Sequence, residues 1–197
     1  MKYKSTDENV RDLQMIMTNI QITKAAVIKN GIKRIKRKTV RFIIPTVPQP
    51  SHRPRVSASG EFYVPGARRN NVFFSEKVYP TLSRIWIQYP CSIKLDIYVQ
   101  TPPTWSKVKQ FLAECKIIRP WHRVGDNDNF EKAVYDMMQP SEHRETKGIL
   151  ADDSLIVDNE THKYYSITPR YEVEITYIDK IPQELLNELE IRDFSER

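Results

Sequence analysis

Apolar and polar residues alternate with two different periods along the chain, and these periods predict its strands and helices. In residues 92–100 every second residue is apolar, which predicts a half-buried strand (Ile93, Leu95, Ile97 and Val99). In residues 129–138 the apolar residues follow an i, i+3, i+4, i+7, i+8 spacing, which predicts one buried helical stripe (Phe130, Ala133, Val134, Met137 and Met138).

Weaker patterns complete the predicted architecture. Helices are expected over residues 12–28, 72–87 with a break at Pro80, 106–116 and 182–191. Strands are expected over residues 41–47, 154–159 and 170–178, and residues 51–69 read as a loop or hairpin. Strands interrupted by helices without regular βαβ spacing predict an α+β fold with a mixed sheet packed against helices.

Acidic residues gather around the start of the 129–138 helix. Asp128 is predicted as its N-cap with Glu131 as the capping-box partner, and Asp126 lies two residues earlier in what would be an extended Asp-x-Asp pair. Lys132 and Asp136 follow Asp128 at i+4 and i+8, so the three should share a face of the helix.

A second acidic pair, Asp152-Asp153, precedes the strand predicted at residue 154. If this strand end meets the helix N-terminus, Asp126, Asp128 and Asp153 could surround one hard cation such as Mg²⁺, with Lys132 at its edge. The alternative is a capped surface helix and an acidic turn, and the short Asp-x-Asp motif alone favours that alternative.

The charge of the chain bears on what such a site would act on. Its 197 residues carry a formal net charge of +6, and residues 1–60 hold 13 Lys and Arg against only Asp7, Glu8 and Asp12. The basic residues concentrate in residues 29–41, from which Lys36, Arg37 and Lys38 are predicted to contact DNA phosphates, although a solvated arm has the same composition. An acidic pocket within a cationic protein is typical of an enzyme that cuts nucleic acid.

Arginines in the segment 51–69 are further candidates for DNA binding. Proline and glycine punctuate this segment, so its side chains should face water, and guanidinium groups bind phosphate in a planar, bidentate manner (Arg53, Arg55, Arg68 and Arg69). A solvated loop is the alternative. Phe62 and Tyr63 could stack on bases, but aromatic residues are more common in the core. His122 lies close to the acidic residues in the sequence, but a single histidine beside a site is more often structural, so it is not assigned a catalytic role.

Cysteines and hydropathy bear on the compartment. Cys91 and Cys115 lack the spacing of a metal site, and the sequence shows no signal peptide, so both are expected to be reduced thiols in a cytoplasmic protein. No apolar run approaches the ~20 residues that a membrane span needs, so a soluble protein is expected.

Taken together, the motifs resemble the RusA family of Holliday junction resolvases over residues 40–178. The first motif is D-x-D-N-F-x-K-A-x-x-D, which begins at Asp126; a glycine, Gly148, then leads to D-D-x-x-I-V, which begins at Asp152. Lys163 follows, and in the N-terminal half R-P-R-V at Arg53 precedes Y-V-P at Tyr63.

The resemblance implies roles for these residues. Asp126, Asp128 and Asp153 would be metal-binding catalytic carboxylates, and Lys132 would be required for cleavage. Asp136, Asp152 and Lys163 match further family positions, and Lys163 is expected near DNA. The implied activity is a Mg²⁺-dependent endodeoxyribonuclease, with Mn²⁺ as a possible substitute, which resolves four-way junctions by paired phosphodiester hydrolysis as a two-fold homodimer. Relatives are frequently carried by phages and prophages.

Some features depart from the family pattern. Gly125 stands where many relatives have proline and Phe130 where leucine or isoleucine is usual, the loop 139–148 is longer, and residues 106–121 look like an insertion. The expected division is a basic N-terminal extension with a helix (1–39), an endonuclease domain (40–178) and an acidic C-terminal helix or tail (179–197). Two alternatives remain: a nuclease of the same chemistry that acts on flaps, forks or duplex, and a non-catalytic DNA-binding protein.

Overall fold

The structure, a computed structural model, describes residues 32–51, 55–56, 60, 62–63, 67–121, 124–142 and 145–186. The chain divides into two compact units. One comprises Arg37–Asp179 and Asp193–Arg197, and the other comprises Met1–Lys36 and Lys180–Arg192. The predicted helix over residues 12–28 and the end of the one over 182–191 lie outside the described residues, so the three-part division of the chain stays a prediction.

Four strands of the larger unit form a mixed sheet, as the sequence predicted. The strands are β1 (Arg37–Ile44), β4 (Cys91–Gln100), β5 (Ile156–Ser166) and β6 (Arg170–Ile178), in the order β1-β6-β4-β5. β6 runs antiparallel to both β1 and β4, whereas β4 and β5 are parallel. Two short strands, β2 (Arg55–Val56) and β3 (Phe62–Tyr63), pair antiparallel within the segment predicted as a loop or hairpin.

The link between β5 and β6 sets the topology of the sheet. These consecutive strands do not pair with each other, because β4 lies between them. Gln100 at the end of β4 is opposite Ser166, and Tyr98 is opposite Arg170, so residues 167–169 cross the end of β4. Two strand spacings amount to about 10 Å, which a three-residue link can span. β5 is therefore an edge strand of this sheet.

Helices connect the strands of the sheet. They are α1 (Ala67–Phe73), which continues through a π-helical turn (Phe74–Val78) into α2 (Tyr79–Leu82), then α3 (Lys107–Glu114) and α4 (Asn127–Met138). A 3-10 turn (Asp153–Leu155) leads into β5, and α5 (Gln183–Leu186) belongs to the smaller unit. The predicted apolar stripe of α4 packs on the predicted apolar face of β4, and every residue of both sets is buried.

Three sequence predictions place element ends incorrectly. β1 begins at Arg37 rather than residue 41, because Arg37 to Ile44 pair continuously with β6, and it ends before Pro45, which has no amide hydrogen for the ladder. The helical segment after residue 67 ends at Leu82, and Pro80 lies in the first turn of α2, where proline is tolerated, rather than breaking a helix. β5 begins two residues later than predicted and extends to Ser166.

Candidate active site

Helix α4 begins two residues earlier than its sequence predicts, and this changes the roles of its first acidic residues. Asp126, in extended conformation, is the N-cap, and its side chain makes no capping hydrogen bond. Asp128 lies in the first helical turn, so both the predicted Asp128 cap and the extended Asp-x-Asp pair are wrong. Glu131 accepts a hydrogen bond from Asn159 of β5 at 3.0 Å instead of closing a capping box.

The carboxylates of Asp126 and Asp128 are both exposed to solvent. Among the described residues, neither of them takes part in a hydrogen bond or ion pair. A carboxylate at a helix N-terminus is stabilised by the exposed amides of the first turn and by the helix dipole. The oxygens of both groups are therefore available to a ligand.

Lys132 joins α4 to the second acidic motif. Its ammonium nitrogen lies 3.3 Å from Asp136 Oδ1, one turn further along α4, and 3.8 Å from Asp153 Oδ2. Asp153 is the first residue of the 3-10 turn, whose N-cap is Asp152; the Asp152 carboxylate accepts from the amide of Ser154 at 3.0 Å. The fold thus brings Lys132, Asp136 and Asp153 together although 21 positions separate Lys132 from Asp153.

Two hydrogen bonds from distant parts of the chain hold the region around the start of α4. Lys163 of β5 donates a hydrogen bond from its ammonium group to the carbonyl oxygen of Gly125 at 2.6 Å. The amide of Ser51 donates to the carbonyl oxygen of Asn129 at 2.8 Å, which ties the start of the arginine-bearing loop to α4. Lys163 therefore positions the acidic loop, whatever it contributes to DNA binding.

Gly125 explains one departure from the family pattern. Its φ is +97°, and a Cβ there would lie 3.0 Å from Cγ of Pro50. Proline holds φ near −65° and could not adopt this backbone. The chain therefore enters α4 along a path that requires glycine rather than the proline found in many relatives.

The described residues contain no group of three or more His, Cys, Asp or Glu side chains arranged to hold a metal ion. The donor chemistry nevertheless fits a hard divalent cation, because the exposed oxygens of Asp126 and Asp128 are of the type that Mg²⁺ prefers. The ligand set Asp126, Asp128 and Asp153 stays a prediction.

The predicted DNA-contact residues occupy several elements. Arg53 lies outside the described residues, as do the side chains of Arg55 and Arg68, while the exposed Arg69 on α1 donates to Gln49 Oε1 at 2.8 Å. Arg37 is exposed on β1, and Lys38 pairs with Asp179 at 2.7 Å, a hydrogen bond that raises the pKa of Lys38. Lys36 is exposed in the smaller unit.

Two residues near the site were not anticipated from the sequence. Tyr135 on α4 is near Asp153 and Glu131, and burial raises its pKa to about 12, so it stays neutral at physiological pH. Arg119, which follows α3, donates from Nε to the carbonyl oxygen of Lys163 at 3.0 Å. Neither the proximity of Tyr135 to Asp153 nor the bond from Arg119 to Lys163 has a local signal, because each joins residues far apart in the chain.

No helix among the described residues is long and apolar enough to cross a membrane. The mixed sheet, with acidic side chains and a lysine near the start of one helix, defines an α+β protein with a candidate phosphodiester-cleaving site. The family model for "Endodeoxyribonuclease RusA" matches residues 45–176, more than half of the chain. The chain belongs to the RusA family and is an endodeoxyribonuclease of the Holliday junction resolvase type. A search of curated proteins gave no match.

Proposed function

We propose that this enzyme is a Mg²⁺-dependent nuclease that resolves four-way DNA junctions by paired hydrolysis of phosphodiester bonds. The observation that carries the proposal is the position of Lys132, whose ammonium lies within 4 Å of Asp153 from one element and of Asp136 from another. This contact joins the two acidic motifs, and the family match covers both of them.

Asp126, Asp128 and Asp153 are the residues that would hold the ion, with Mn²⁺ as a possible substitute. A divalent ion in such a site neutralises phosphate charge and lowers the pKa of bound water. Lys132 contributes a fixed positive charge close to the scissile phosphate, where negative charge develops during cleavage. Lys163 holds the Gly125 carbonyl and so keeps Asp126 in place at the start of α4.

DNA recognition would use the predicted basic residues. Ser51, two residues before Arg53, is bonded to α4, and Arg69 donates to Gln49; these contacts support Arg53, Arg55, Arg68 and Arg69 as DNA-binding residues. Lys36, Arg37 and Lys38 would add phosphate contacts. A four-way junction has two-fold symmetry, so paired cuts on opposing strands call for a two-fold homodimer with one site per subunit. We expect the enzyme to act in the cytoplasm.

The test is cleavage of synthetic DNA with single-residue variants. Asp126→Asn, Asp128→Asn, Asp153→Asn and Lys132→Gln should each abolish Mg²⁺-dependent cleavage of a mobile four-way junction. The three Asp variants should keep junction binding, because each lowers repulsion of phosphate. Asp158→Asn, which alters an exposed aspartate of β5, is the matched control and should cleave normally.

Two outcomes would contradict the proposal. Cleavage that persists in all three Asp variants would remove the carboxylates from the site. Equal or faster cleavage of three-way, flap or linear substrates by the wild-type enzyme would assign the same chemistry to a different DNA structure.

A further inference from the structure

The segment 105–121 forms a structured arm that is anchored at the end of the sheet. Its helix α3 is capped by Ser106, whose hydroxyl accepts from the amide of Lys109 at 3.3 Å. Glu114 at the helix end accepts hydrogen bonds from the amide of Ile167 at 2.6 Å and the hydroxyl of Ser166 at 3.4 Å. The arm is therefore fixed against the link between β5 and β6.

The end of this arm lies over a pair of neighbouring tyrosines whose ring planes are tilted by 32°. Tyr98 and Tyr164 are opposite each other on β4 and β5, with ring centroids 5.3 Å apart. Lys116 Nζ lies 4.1 Å and the Arg119 guanidinium carbon 4.4 Å from the centroid of the Tyr164 ring, and Arg170 lies 3.8 Å from that of Tyr98. We refer to these five residues as the cation–tyrosine cluster.

The charges of this cluster are only partly compensated. Arg170 forms an ion pair with Glu172 at 2.7 Å. Within the described part of the chain, Lys116 and Arg119 form no ion pair with a carboxylate. An aromatic ring attracts and orients a cation through its quadrupole but carries no net charge. Both exposed cations therefore keep their full charge for an anion from solution.

The backbone conformation of Lys116 also indicates that this residue has a functional role. The end of α3 is a Schellman motif, in which the amides of Lys116 and Ile117 bond to the carbonyl oxygens of Ala113 and Leu112 at 2.9 and 3.0 Å. Lys116 occupies the position that usually holds glycine, and its φ is +63°, which is disfavoured for a residue with a Cβ. The chain places a lysine where glycine would be more stable, as occurs at functional positions.

Hydrogen bonds connect the cluster to the candidate active site. Arg119 donates to the carbonyl oxygen of Lys163, and the Lys163 ammonium donates to the carbonyl oxygen of Gly125, which precedes Asp126. Two hydrogen bonds thus separate the cluster from the residue before the first carboxylate. Lys163 and Tyr164 are consecutive residues of the edge strand β5, so their side chains lie on opposite faces of the sheet, and a DNA strand would reach Lys116 and Arg119 from the active site around the edge of β5.

We propose that Lys116 and Arg119 form a phosphate-binding site for the DNA backbone on the flank of the active site. The proposal rests on the proposed function to the extent that the ligand is DNA. Because these cations contact phosphate rather than base edges, they position the substrate without reading its sequence or its branch point.

The test uses the full-length protein and fluorescently labelled DNA without divalent metal, so that binding is measured apart from cleavage. The variant is Lys116→Gly, and the DNAs are a four-way junction and a linear duplex, titrated at several salt concentrations. We expect Kd to rise about three- to tenfold on both DNAs and the slope of log K against log salt to fall by about 0.9. The melting temperature should stay equal or rise, because glycine accepts the positive φ.

Three further variants make the result specific. Lys116→Arg keeps the charge and should bind as the wild type does, and Lys77→Gln, at an exposed lysine of the π-helical turn, is the matched control. Arg119→Gln should lower affinity and slope in the same way as Lys116→Gly. If Lys116→Gly does not fold, Lys116→Asn gives the same test, since asparagine also tolerates this backbone.

The outcomes separate this proposal from the proposed function. Unchanged affinity and salt slope in Lys116→Gly overturn the phosphate site even if the wild type resolves junctions. The same holds for an equal loss in Lys77→Gln. A specific loss in an enzyme that fails to cleave junctions supports the phosphate site and contradicts the proposed function. No binding of either DNA by the wild type overturns both.

Discussion

Replacement of Gly148 by alanine should be among the most destabilising single substitutions in this protein. Gly148 is buried where the loop 139–148 returns to the end of α4. An added Cβ would lie 2.1 Å from the carbonyl oxygen of Met138 and 2.6 Å from both the carbonyl carbon of Gln139 and the nitrogen of Pro140. All three are backbone atoms, so no side-chain rotation can relieve the contact.

The size of the effect follows from what must move. An ordinary carbon contact is about 3.5 Å, so the two segments must separate by roughly 1 Å. That shift breaks two hydrogen bonds, from the amides of Ile149 and Leu150 to the carbonyl oxygen of Met138 at 2.8 and 3.1 Å. Each contributes about 1 kcal/mol, and overpacking a buried site costs about 1–3 kcal/mol more. The free energy of unfolding should fall by about 3–5 kcal/mol.

Denaturant titration and thermal melting measure this loss, which corresponds to a decrease in Tm of about 10 °C for a protein of this size. Gly60→Ala is the matched control, because Gly60 has a φ of +83° but nothing within 4 Å of the added Cβ. It should lose only the conformational term, about 1 kcal/mol. A Gly148→Ala protein within about 1 kcal/mol of wild type, or an equal loss in Gly60→Ala, would refute the steric argument.

Two further predictions concern the thiols and the basic residues near β1. Burial raises the pKa of Cys91 to about 11, whereas Cys115 is exposed, so at pH 8 a thiol reagent should modify Cys115 in the native protein and reach Cys91 only after denaturation; equal native rates would contradict this. Replacing Lys36, Arg37 and Lys38 with alanine should weaken binding to junction and duplex alike, and the salt slope should fall by about 0.9 for each DNA phosphate that is no longer neutralised. Unchanged affinity and slope would leave this basic segment a solubilising role only.

Local residue spacing predicted the elements whose apolar residues all lie on one face. The stripe from Phe130 to Met138 and the alternation from Ile93 to Val99 were confirmed in full, because helical and strand periods place those side chains on one face whatever lies opposite. Element ends were less predictable. The start of α4 depends on contacts outside the helix: Glu131 bonds to Asn159 rather than to its own N-terminus.

The candidate site was likewise only partly predictable from the sequence. The motifs at Asp126 and Asp152 pointed to the RusA family, and the family match confirmed that the chain is an endodeoxyribonuclease. The catalytic role of the acidic residues stays a prediction. The sequence could not show that Lys132 lies between Asp136 and Asp153, or that Lys163 bonds to the peptide before Asp126. Those contacts depend on the parallel pairing of β5 with β4, which brings β5 next to α4.

What the sequence by itself determined is the chemistry of this protein: its carboxylates, its lysine, its excess of positive charge and its mixed α+β pattern. These follow from residue types and from spacings within single elements. The tertiary structure alone decided which of these groups meet, including the cations held over Tyr98 and Tyr164. The physical reason is that an ion pair or cation–π contact acts over only a few ångströms, so packing of distant segments must bring its members together.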